Sequence, residues 1–163
     1  LGHLGKYNSL LRKLDEEMID IYDYDFDIDE RSYGMRGLAY NGTILISNTI
    51  ETNAERYCVA LEEYWHIKLT EGDITDLSNM NNCKQEHKAR MIAYETASEI
   101  EDMVMAYKSG ARNIYELSEY LGLTEQFLIE ASLSMQSKHG TCFKIKGYTV
   151  CFSPFEIYKN IEL

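Results

Sequence analysis

Proline is nearly missing from this chain, with one in 163 residues. No Pro- or Ser-rich stretch marks a linker and no internal repeat is present, so the sequence reads as one compact α+β unit. Also missing is any run of the roughly 20 apolar residues that a membrane-crossing helix needs. The first residues, Leu1 to Tyr7, carry no basic region followed by an apolar one, so no secretion signal is expected and the expected location is the cytoplasm. Positive charge is scarce: 16 Lys and Arg stand against 27 Asp and Glu, a formal charge of −11. Such a surface repels phosphate backbones and anionic lipid, which argues against nucleic acid and membrane as partners and for a protein with a basic region. The four cysteines form no Cys-x-x-Cys pair and read as free core thiols. A Cys142–Cys151 disulfide is geometrically conceivable if 142–145 and 148–151 form a hairpin turning at Lys146-Gly147. A cytosolic chain, however, keeps such a pair reduced.

What is present is 45% hydrophobic content, enough for a sizeable core, arranged with clear periodicities. Leu10, Leu11, Leu14, Met18 and Ile21 predict a helix from Tyr7 to about Tyr22. The acids and aromatics of Asp23–Glu30 predict a solvated loop or an edge strand. Leu38–Tyr40 and Thr43–Ser47 flank Asn41-Gly42, a strong hairpin signal. Thr52 with Glu55 is a capping-box pattern that opens a helix to about Thr70, stopping near Gly72. Asn82 with Gln85 opens another over Cys83–Ala97, and Ser98 with Glu101 restarts or kinks it toward Tyr107. Asn113 with Glu116 opens a short helix that Gly122 closes, and Thr124 caps a last one ending before Gly140. The Cys142–Cys151 hairpin and a polar tail complete the chain. Residues 1–107 are the expected core, with the helical pair and hairpin of 108–163 packed on it.

The stretch with chemistry in it is Leu61-Glu62-Glu63-Tyr64-Trp65-His66. On a helix, positions 62 and 66 lie on one face, one turn apart, and can place a carboxylate and an imidazole on a single ion. Glu63 sits about 100° around the helix, where it can reach a water without ligating the ion. A carboxylate there can take the proton of an acidified water and later pass it to a leaving amine. A catalytic zinc site commonly uses three protein ligands; the third must come from another element, and Glu86 at the start of the next helix is the best candidate. Taken alone, Glu-Glu-x-x-His is also what an ordinary solvated acidic helix face produces.

Several stretches resemble the ImmA/IrrE family of metallo-endopeptidases, particularly the versions of phages and mobile elements. They are Cys58–His66, Glu71–Asp76, Asn81–Arg90, Ala93-Tyr94-Glu95 and Tyr115–Glu125, and similarity in order and spacing runs from about Gly37 to Phe152. The family signature is His-Glu-x-x-His, then a Glu that precedes one Ala by three and another by seven; Glu86, Ala89 and Ala93 match the last part. The resemblance implies a minimal zincin-like α+β domain with a small antiparallel sheet and a C-terminal helical pair. It implies Glu63 as general base and His66 and Glu86 as metal ligands, with Glu62 standing at the first ligand position. It also implies a narrow protein substrate, typically a helix-turn-helix repressor. Two positions depart from the family: Glu62 stands where the first His is usual, and Trp65 where a small Gly is usual. Glu62 adds a third carboxylate and takes the loaded cluster from neutral to net negative, which weakens the Lewis acid. The ligand set also hardens, so manganese or iron come closer to zinc as occupants. A second reading of the same departures is a regulatory protein that docks on a repressor-type partner without hydrolysis.

Other residues fit blander roles. His87 points about 100° away from Glu86 and reads as a surface imidazole. Asp73 and Asp76 read as turn and cap residues, with a contact to His66 as the alternative. The helix-turn-helix outline of 113–138 has three basic residues (Lys108, Arg112, Lys138) against four acidic ones over 108–138, a poor DNA-reading surface. Phe127, Leu128 and Ala131 read as its core face. A tyrosine hydroxyl can steady an oxyanion, but the sequence singles none out; Tyr94, following Glu86 on the same helix, is the candidate, with core packing as the stronger reading.

Overall fold

The computed structural model describes residues 3–28, 30–69 and 80–161. Its elements mix helices with two three-stranded sheets, an α+β fold. Backbone contacts group into two units, His3–Ala93 and Tyr94 onward, with the division inside one helix. The sequence reading places its internal boundary at 107/108.

In the first unit, helix α1 (His3–Glu16) is shorter than its apolar spacing predicts. It ends because Met18 takes a left-handed backbone, φ 56°, while Met18 N–H bonds Asp15 O at 3.1 Å and Ile19 N–H bonds Leu14 O at 2.9 Å. This is a Schellman stop, with Leu14 and Ile19 both buried. It usually uses Gly, and here a methionine hides it from the sequence. Residues beyond it form β1 (Ile21–Tyr24), which pairs in parallel with β3 (Thr43–Ser47). Strand β2 (Gly37–Tyr40) pairs antiparallel with the other side of β3, so the order is β1-β3-β2. The sheet is therefore mixed where an antiparallel one was expected, because β1 returns beside β3 instead of beside its neighbour in sequence. The β2–β3 turn is as expected: Asn41 and Gly42 have φ 49° and 75°, the two positive angles of a type I′ turn.

Helix α2 (Asn53–Leu69) starts at the predicted cap, Glu55 N–H donating to Thr52 Oγ1 at 3.2 Å. The Glu55 carboxylate closes no box with Thr52; it accepts from Arg36 Nε at 3.0 Å. Tyr57, Cys58, Ala60, Leu61 and Tyr64 bury one side of α2, which packs on α1, β2 and β3. Ile44 and Ile46, both fully buried, are the core contribution of β3. Helix α3 (Met80–Ala97) begins before the predicted Asn82 cap, which lies within its first turn. The predicted stop near Gly72 lies outside the described residues.

In the second unit, the hydroxyl of Ser98 donates to Tyr94 O at 2.6 Å where α3 ends, and α4 (Ile100–Lys108) follows. Helices α5 (Ile114–Leu121) and α6 (Glu125–His139) carry the predicted caps: Asn113 accepts from Glu116 N–H at 2.9 Å and Thr124 from Phe127 N–H at 3.2 Å. Gly122 ends α5 with φ 69°. Phe127, Leu128 and Ala131 are buried as expected. Strands β4 (Cys142–Ile145) and β5 (Tyr148–Phe152) turn at Lys146-Gly147 with Cys142 opposite Cys151. Those two cysteines are bonded as a disulfide, correcting the expectation of free thiols at that pair, while Cys58 and Cys83 are not disulfide-bonded. Direct opposition across the hairpin, Cα to Cα 4.0 Å, brings the sulfurs within bonding range. The expected polar tail instead forms β6 (Phe155–Lys159) on the free edge of β5. The alternation of Phe155 and Ile157 with Glu156 and Tyr158 was its signal.

Candidate metal centre

Helix α2 projects Glu62 and His66 from one face and turns Glu63 toward the sheet. Glu63 is fixed by close approach of β2. A Cβ on Gly37 would lie 2.5 Å from Val59 Cγ1 and 3.0 Å from both Cγ and Oε1 of Glu63, so only glycine lets strand and helix meet here. The Ala39 backbone N–H donates to the Glu63 carboxylate. Burial is the largest influence on that carboxyl and, with the Glu62 charge beside it, pushes its pKa up to about 8 against the pull of Ala39 N–H. A nearby divalent cation acts in the opposite sense.

His66 is buried, and burial lowers its pKa although the Glu86 charge works the other way. Burial thus favours the neutral imidazole, the form that ligates metals. Its Nε2 stands 3.2 Å from Glu86 Oε2. A neutral imidazole makes this a poor ion pair. The spacing suits a hydrogen bond, and it also suits two donors on one tetrahedral ion, which lie about 3.3 Å apart for bonds near 2.0–2.1 Å. Glu86 reaches this place from α3, helped by Ala89 and Ala93, whose small side chains are fully buried three and seven residues on.

Glu62 is placed differently. Its Oε2 faces Arg90 Nε at 3.8 Å, and Arg90 Nη2 binds Glu86 Oε1 at 2.8 Å. A guanidinium thus links the two carboxylates, and among the described residues no three His, Cys, Asp or Glu side chains close into a metal-holding group. Two of the three predicted ligands are together as they stand. The third has suitable chemistry, lies on the correct helix face and is engaged by Arg90. Two carboxylates and an imidazole are donor types that divalent ions take.

His87 is exposed, as expected of a surface imidazole. Asp73 and Asp76 lie outside the described residues. Tyr94 packs edge-on against Phe127 at 4.8 Å between ring centres and donates to Glu130, the packing role. Trp65 stacks edge-on with Tyr64, with Lys13 Nζ 5.7 Å from its ring centre. Arg90, Gly37 and Ala39 were missed by sequence reasoning. Arg90 was findable, since it follows Glu86 by four residues on a helix; Gly37 and Ala39 were not, because their approach to Glu63 is made by the fold. No protein-family model, curated protein sequence or solved structure matches this chain.

Proposed function

We propose that this protein is a metal-dependent endopeptidase with a minimal zincin-like core, cutting a specific protein partner. The observation that carries the reading is the meeting of a buried His66 with Glu86 at 3.2 Å beside a half-buried Glu63. His66, Glu86 and Glu62 would hold the ion, zinc before manganese or iron. A divalent ion held by them would supply an acidified water and a polarised scissile carbonyl. Glu63 then takes the proton of the attacking water and delivers it to the leaving amine. Ala39 N–H and the Gly37 contact keep that carboxylate aimed while it does so. Strand β2 is an edge of its sheet, next to Glu63, and offers an extended substrate segment a strand to lie along.

The −11 charge favours a basic partner, consistent with the helix-turn-helix repressor that the family resemblance implies. No helix among the described residues is long and apolar enough to cross a membrane. Metal analysis of the purified protein, together with cleavage of its genomic neighbour by wild type and Glu63→Gln, tests the reading. Bound metal with cleavage by wild type alone supports it; equal effects of both proteins on the partner sink it. That second outcome belongs to the docking protein without hydrolysis, a reading favoured by the Arg90 contact to Glu62.

A further inference from the structure

Arg90 is the charged side chain that metal ligation leaves unexplained. It sits one turn past Glu86 on α3 and touches two of the three proposed ligands. The two contacts differ in kind. Glu86 gives Arg90 its Oε1 while its Oε2 stands at His66, so that contact is compatible with ligation. Glu62, in contrast, offers its Oε2 to Arg90 Nε, and among the described residues no third His, Cys, Asp or Glu closes a metal-holding group with His66 and Glu86. The Arg90 side chain is 46% exposed.

We propose that Arg90 is an internal counter-cation that competes with the divalent ion for Glu62. The inference rests on the metallopeptidase reading. Two carboxylates brought together from neighbouring helices repel each other, and a guanidinium, permanently charged and forked, can serve both at once. A 3.8 Å contact to a half-exposed arginine is weak. A doubly charged ion at the His66–Glu86 pair therefore draws Glu62 away from Arg90, and the competition lowers the apparent metal affinity. This accounts for a Glu at position 62: a neutral imidazole there would offer Arg90 nothing to hold.

The test uses the full chain, stripped of metal and checked for folding by circular dichroism. Wild type, Arg90→Met, Glu62→Gln and the double variant are titrated with Zn2+ against a chromophoric chelator. Co2+ absorption reports the coordination shell, and melting of the metal-free forms is followed in parallel. Arg90→Met should bind Zn2+ about fivefold more tightly than wild type. Its metal-free form should melt lower, and the gain in affinity should largely vanish in the Glu62→Gln background. Binding that weakens or stays unchanged in Arg90→Met, while wild type still binds, overturns the competition alone and makes Arg90 a positioning partner of Glu86 or a bystander. No Zn2+ binding by any of the four folded proteins overturns the competition and the metallopeptidase reading together.

Discussion

Glu63 lies against β2, where the Ala39 N–H acts on its carboxylate and Gly37 leaves it room. Glu63→Gln keeps the shape and the Ala39 contact but cannot carry a proton. It should lower the cleavage rate by about 10²–10⁴-fold with little change in melting temperature. Gly37→Ala should do damage of another kind, since its methyl would meet Val59 Cγ1 at 2.5 Å. We expect a loss of about 1–3 kcal/mol in denaturant unfolding, partly recovered by adding Val59→Ala. Full stability of Gly37→Ala would refute the close approach. Tyr57, buried in α2, gives a prediction in pH: burial first, and the neighbouring Cys58 second, push its pKa up to about 12 from an ordinary 10. The unfolded chain then loses this proton first. The associated stability is present below pH 10 and disappears as pH rises through 12, a loss of about 2–3 kcal/mol. Tyr57→Phe should flatten that part of the stability profile, and coincident profiles would count against it.

Elements end and pair here through local backbone geometry that composition only partly announces. The stop of α1 uses Met18 in a left-handed conformation with its side chain 91% exposed, so the residue contributes little packing to offset the strain. Met18→Gly should raise unfolding stability by about 0.5–1 kcal/mol. A fall would show that Met18 has a packing role. In the Cys142–Cys151 hairpin, the Lys146-Gly147 turn sets the register, with Lys146 at φ 45° and Gly147 at 79°. The pairing therefore does not depend on the sulfur bond, and a Cys142→Ser, Cys151→Ser protein should keep the β4–β5–β6 amide connectivities in an NMR spectrum.

For the molecule as a whole, charge governs encounter. A protein of −11 meeting a basic partner should associate more slowly as salt rises, because screening shortens the reach of its field. Association rates measured across ionic strength check this; a flat response would argue against a basic partner. On the metallopeptidase reading, adding Zn2+ to the metal-free protein should raise the melting temperature with the logarithm of free metal above the dissociation constant, since only the folded chain brings His66 and Glu86 together.

Local patterns determined the hairpin turns, the caps at Thr52, Asn113 and Thr124, and the common helix face of Glu62 and His66, because each depends on residues within a turn or two. They were silent on the parallel pairing of β1 with β3 and on the methionine that ends α1. At the site, spacing could nominate Glu86 but could not bring it to His66, which requires two helices to pack. Nor could spacing show that a glycine on a distant strand makes room for Glu63, or that Arg90 faces Glu62 across the helix pair. Those contacts join residues far apart in the chain, and packing alone decides which charges become neighbours.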